Sequence, residues 1–174
     1  MKSKKLTAGI ILLPIIGVMI LVAFDQLMKY LAVLFLKGKD AVVLIKGVLE
    51  LQYLENHGAA FGMLQEKQWL FWLLTAAFIL IVVWFYIRVP KTKHYLPLIL
   101  TVLVLVSGAL GNFIDRLANR YVVDFIYFRI INFPIFNVAD IYVTISVIVL
   151  ICLILFKYKD KDMGFLFAKR KQDS

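Results

Sequence analysis

Three runs of 19 residues, 6–24, 69–87 and 96–114, contain no charged side chain. A fourth, 133–156, has 24 residues and one charge, Asp140. At about 1.5 Å rise per helical residue, 19 residues reach roughly 28 Å, close to the hydrocarbon thickness of a bilayer. A helix of a soluble bundle needs a polar face, and these runs have none. The chain therefore reads as an α-helical integral membrane protein with four transmembrane helices, at about 6–28, 68–88, 95–115 and 136–156. Composition agrees: 63% of residues are hydrophobic and 18% charged, against about 25% charged in soluble domains. Residues 1–157 form one membrane domain, and 158–174 a solvated basic tail. Lys2, Lys4 and Lys5 resemble the basic flank of a secretory signal. The apolar run behind them exceeds the usual length of about 7–15 residues, and no small-residue cleavage site follows. It reads as a retained first helix.

Charge sets the orientation. The N-terminus, the connection at 88–95 and the tail hold 12 of the 20 basic residues but three of the 11 acids. Basic residues stay cytoplasmic, so both termini are expected inside. The basic balance then reflects topology and anionic lipid rather than nucleic acid. Trp69 and Trp72 mark the outer end of the second helix, and Trp84, Tyr86 and Tyr95 its inner connection. Pro97 fits the first turn of the third helix. One cysteine, Cys152, and two histidines, His57 and His94, leave no disulfide and no metal cluster to build. No cofactor is expected.

The outer connections carry more pattern. Leu49, Leu51 and Tyr53 alternate with Glu50 and Gln52, and Gly38 and Gly47 punctuate the stretch, which predicts a short outer sheet. The second connection, 117–131, alternates too, and leaves a strand and an amphipathic segment equally open.

Ionisable groups in or near membrane helices are costly and so point to function. Here they share one depth: Asp25 and Lys29 at the end of the first helix, Asn56 before the second, Asn112, Asp115 and Arg116 ending the third, Asn137 and Asp140 opening the fourth, and Asp124 between them. Each also has a structural reading. Asp25 pairs with Lys29 or caps a turn, Asp115 pairs with Arg116, and the asparagines satisfy helix ends. Gly108 and Gly111 read as close helix packing. Three carboxylates, Asp115, Asp124 and Asp140, converge. Two carboxylates sharing one proton are the device of aspartic proteases, because like charges side by side do not both ionise. The repeated Asn-x-x-Asp form, Asn112 to Asp115 and Asn137 to Asp140, by itself pairs Asp115 with Asp140. A serine–lysine pair built from Lys29 and Ser146 or Ser107 is a weaker reading. A proton-coupled transporter and a non-enzymatic assembly factor are the other classes, though no helix carries a polar stripe to the inner side.

The sequence resembles the lipoprotein signal peptidases, or signal peptidase II. Five stretches carry the likeness in order: Phe24-Asp25-Gln26-Leu27-Met28-Lys29; Glu55-Asn56-His57-Gly58-Ala59-Ala60-Phe61-Gly62; Gly108-Ala109-Leu110-Gly111-Asn112-Phe113-Ile114-Asp115-Arg116; Val122-Val123-Asp124-Phe125; and Phe136-Asn137-Val138-Ala139-Asp140. His57 departs from the family's usual small or polar residue. The resemblance implies an aspartic endopeptidase of the bacterial cytoplasmic membrane that cuts diacylglyceryl-modified prolipoproteins just before the lipid-bearing cysteine. It implies four membrane helices, an outer β-cradle and a surface segment. Residue by residue, it makes Asp124 and Asp140 the catalytic dyad. Asn56, Gly58, Asn112, Arg116, Val122 and Asn137 become holders of substrate or of the antibiotic globomycin, and Asp25, Lys29 and Asp115 become supports. The implied partners are prolipoprotein substrates and membrane lipid, with the enzyme a monomer and its site near the outer leaflet surface.

Overall fold

A computed structural model describes residues 8–58 and 68–166. Helix α1 spans Ala8–Leu36, strands β1 and β2 span Val42–Ile45 and Leu49–Asn56, and α2 spans Gln68–Arg88. Helix α3, Leu96–Ala118, is followed by β3, Val122–Phe128, and a 3-10 turn at Arg129–Ile131. Helix α4, Val138–Cys152, passes into a π-helical turn at Leu153–Lys157, and a 3-10 segment covers Asp160–Leu166. Stretches in α1, α3 and α4 are long and apolar enough to cross a membrane, and α2 is apolar over Trp72–Arg88.

Helix α3 is the hub and packs against α1, α2 and α4. Its glycines permit this. A Cβ on Gly108 would lie 2.5 Å from the Ala139 carbonyl oxygen of α4, and one on Gly111 would collide with the Asp25 carboxylate of α1. The expected glycine packing is thus realised, with a carboxylate as one of the packed groups. Pro97 occupies the first turn of α3, where its missing N–H leaves no helical bond unmade.

The second connection resolves as a strand. β3 pairs with β2, and β2 with β1, in an antiparallel sheet of order β1-β2-β3. The sheet rests on the end of α1, where Val123 and Phe125 pack with Ala32 and Leu36, and Leu51 lies against them.

Two expectations are corrected. Asp25 and Lys29 do not end the first helix, which runs on to Leu36, because their charges are paired and buried inside it. The segment after Lys157 is not simply solvated. Tyr158 is buried, its hydroxyl donates to His94 O at 2.9 Å, and Tyr95 donates to Asp162 O at 2.7 Å. These bonds fold the start of the tail back onto the α2–α3 connection.

Candidate active site

Helix α4 opens with a capping box. The Asn137 side chain accepts the Asp140 N–H at 3.0 Å, and Asp140 Oδ2 accepts the Asn137 N–H at 3.0 Å. Such reciprocal bonds satisfy donors that every helix start leaves open. The Ala139 N–H goes to Asp25 Oδ1 of α1 at 2.8 Å. A carboxylate from another helix thus completes the cap, and it ties α1 to the turn that carries Asp140.

Asp124 arrives from β3. Side chains alternate along a strand, so Val123 and Phe125 enter the core while Asp124 turns to the opposite side. It is 1% exposed. Asn137 Nδ2 donates to Asp124 Oδ1 at 2.6 Å, and Asn56 Nδ2 donates to Asp124 Oδ2 at 2.8 Å. Asn56 ends β2 opposite Val122, itself buried, so the ladder sets its reach. Asp140 receives Asn112 Nδ2 on Oδ1 at 2.8 Å, and Asn112 Oδ1 accepts from Asn137 at 3.1 Å. Asn137 therefore touches both carboxylates, one through its amide and one through its backbone.

A second cluster lies behind. Lys29, 3% exposed, meets Asp25 Oδ2 at 2.9 Å, Asp115 Oδ2 at 3.1 Å and Asn112 Oδ1 at 2.9 Å. Asp115 also accepts the Val123 N–H at 3.0 Å, which fixes the start of β3 beside Asp124. Sequence adjacency suggests Arg116 as the partner of Asp115; the structure supplies partners from α1 and β3. Arg116 reaches Gly58 O at 3.3 Å, and the Gly58 N–H closes a turn onto Asn56 Oδ1 at 3.1 Å. All eleven residues singled out from the sequence thus fall in one region at the sheet–helix junction. The tail of the second motif, 59–62, lies outside the described residues.

Gln26 was missed. Its Nε2 donates to Asp115 Oδ1 at 2.9 Å and to Gly111 O at 3.1 Å, tying α1 to α3. Its one signal was its place between Asp25 and Lys29. The serine–lysine alternative loses its base, since Lys29 is held by three acceptors, and Ser107 donates to Leu103 O of its own helix at 2.8 Å. Among the described residues, no group of His, Cys, Asp and Glu is placed to hold a metal ion.

Burial, and next the charge of Asp140, push the Asp124 carboxyl up to about 7; the amides of Asn56 and Asn137 oppose this without cancelling it. The count of charges agrees. Four acidic groups, Asp25, Asp115, Asp124 and Asp140, face two cations, Lys29 and Arg116, in a largely buried region. Buried charge without a partner is expensive, so a proton held on the Asp124–Asp140 pair lowers the cost. The arrangement offers a carboxyl that burial disposes to hold its proton, a second carboxyl nearby and a frame of amides, which suits addition of water to a carbonyl.

Residues 17–156 match the family model described as "Signal peptidase (SPase) II". The chain is 42% identical over 140 residues to the lipoprotein signal peptidase of Streptococcus agalactiae serotype Ia, covering 80% of this chain and 89% of that one. It is 40% identical over 136 residues to the lipoprotein signal peptidase of Streptococcus pyogenes serotype M5, covering 78% and 88%. Its fold is similar to a bacterial membrane enzyme solved by the in meso method at 2.3 Å, with a TM-score of 0.75, 34% identity, and 92% and 97% of the two chains covered.

Proposed function

The chain belongs to the signal peptidase II family, and from that premise we propose that it removes signal peptides from diacylglyceryl-modified prolipoproteins with Asp124 and Asp140 as its catalytic dyad. The observation that carries the assignment is Asn137, which binds Asp124 through its amide and Asp140 through its backbone N–H. Asp115, the other candidate, is occupied by Lys29, Gln26 and Val123.

The two acids divide the work. Asp140 lies in the first turn of α4 and is partly exposed. It is the base that takes a proton from water. Asp124, buried and titrating near 7, is the acid that gives its proton to the scissile carbonyl oxygen. Water oxygen bonds to the carbonyl carbon as the C=O π pair moves to oxygen, giving a neutral gem-diol. Transfer of the proton on Asp140 to the leaving nitrogen breaks the C–N bond. A hydroxyl proton of the diol returns to Asp124, leaving a new carboxyl terminus and a free amine. Asn56, Asn112 and Arg116 line this position and orient the substrate backbone. The diacylglyceryl group keeps the cut within the outer leaflet, at the depth where these polar groups lie.

The test is single-turnover cleavage of a lipidated peptide by purified variants. Asp124→Asn and Asp140→Asn should each abolish cleavage while the protein inserts normally, since an amide neither takes a proton from water nor shares one. Asp115→Asn should keep measurable turnover. Full activity in Asp124→Asn together with none in Asp115→Asn would restore the Asp115–Asp140 pairing.

A further inference from the structure

A sheet lying in water on one face alternates apolar and polar side chains. β1 does not. Its residues Val42, Val43, Leu44 and Ile45 are all apolar and all exposed, although they point to both faces. β1 is also an edge of the sheet. The turn leaving it meets the 3-10 turn after β3, where the Arg129 N–H donates to Val48 O at 2.9 Å. That second turn exposes Ile130 at 66% and Ile131 at 68%, and Phe133 follows, also exposed. The apolar apron thus sits at the end of the sheet far from Asn56 and Val122.

The depth of this apron can be read from α1. Val42 pairs with Leu51, and Leu51 packs at Ala32 and Leu36. On the same turns, Leu34 and Phe35 point outward from a helix apolar enough to cross a membrane. β1 therefore lies level with the lipid-facing end of α1. Exposed Lys39 precedes the strand beside Asp40, and exposed Lys46 stands in its turn. Lys37 and Arg129 are nearby but paired, to Glu55 and Glu50. A hydrophobic edge bare to water invites aggregation; an apolar surface rimmed by exposed lysines fits acyl chains beneath anionic headgroups.

We propose that β1 and the turn bearing Ile130 and Ile131 insert into the membrane leaflet beside the site, with Lys39 and Lys46 among anionic headgroups. The sheet also carries Asn56 and Asp124. Anchoring its far end therefore fixes the height of the dyad against the lipid surface, a consequence that rests on the peptidase reading. The insertion itself does not.

The test uses the full chain with Cys152→Ser, reconstituted in nanodiscs of phosphatidylglycerol and phosphatidylcholine. Nitroxides are placed through Leu44→Cys, Ile131→Cys and, as a water-exposed control, Lys159→Cys. The Leu44 and Ile131 labels should collide readily with oxygen and poorly with a water-soluble nickel chelate; the control should do the reverse. Nickel access at both positions equal to the control overturns the proposal. So does shielding accompanied by label–label broadening, which marks a second copy as the occupant. In parallel, Ile130→Asn with Ile131→Asn should cut cleavage several-fold for a lipidated peptide in anionic vesicles and leave it unchanged in detergent micelles. An equal loss in both media overturns the height-setting role. Failure of the unsubstituted chain to cleave in either medium overturns the peptidase reading, while the label accessibilities still decide insertion.

Discussion

Asn137 serves structure and chemistry through different atoms. Its oxygen caps α4, and its amide nitrogen reaches Asp124 and Asn112. Serine also caps helices but offers no amide donors. Asn137→Ser should therefore keep thermal stability to within about 1 kcal/mol while cleavage falls by roughly ten- to a hundredfold, the value of a charged hydrogen bond of about 1.5–3 kcal/mol. Comparing melting temperature with single-turnover rate separates the two effects. A variant that melts early and cleaves normally would confine Asn137 to the cap. Acidity follows from the same contacts. Asp124 keeps its proton below about 7 and loses it above, mainly because it is buried. As pH rises through 7 the pair loses its shared proton, and cleavage should fall. That alkaline limb reports a constant of the coupled pair rather than of either residue. In Asp140→Asn the neighbouring charge is gone, so the Asp124 carboxyl should ionise at lower pH, measurable by isotope-edited infrared spectroscopy.

At the scale of elements, α1 is joined to α3 and α4 by polar contacts that need small residues around them. The Asp25 carboxylate fits only because position 111 is glycine. Gly111→Ala should displace it and release the Ala139 N–H, costing about 1–3 kcal/mol as overpacking in a tight core does. Lys29→Met should cost more, about 3–5 kcal/mol, the usual result of leaving buried charge uncompensated. Asp25 and Asp115 would both lose their cation. Denaturation in mild detergent measures both variants. If Lys29→Met is as stable as the parent, the cluster contributes nothing to holding the helices together. Gln26→Leu should give a smaller loss, because Asp115 retains Lys29 and the Val123 N–H.

For the whole molecule, the excess of basic residues at the N-terminus, the 88–95 connection and the tail predicts that these share the cytoplasmic side. Reporter fusions at Lys171 and near Lys91 should read cytoplasmic, and fusions near Lys39 external. An external carboxyl terminus would overturn the topology. The start of the tail belongs to the folded unit, since Tyr158 is buried and Arg88 donates to Leu166 O at 2.9 Å. Truncation after Lys157 should therefore lower the melting temperature.

The helices were legible in the chain because a bilayer imposes a length and an apolarity that local sequence satisfies or fails without help from distant residues. Strand β2 was legible from its alternation. The polar residues of the candidate site were legible for a related reason: at one membrane depth such groups are too costly to occur without a shared purpose. What local pattern did not supply was pairing across space. The Asn-x-x-Asp repeat joined Asp115 to Asp140, and the likeness to a family, rather than spacing, named Asp124. Only the packed structure places Asp124 against Asn137, turns Asp115 toward Lys29 and Gln26, and uses Asp25 to cap a helix more than a hundred residues away. Likewise the strand within 117–131, Val122–Phe128, formed only once β2 offered it an edge. Those choices depend on which donors lie within about 3 Å after the helices close, and that is set by tertiary contact, as at Gly108 and Gly111.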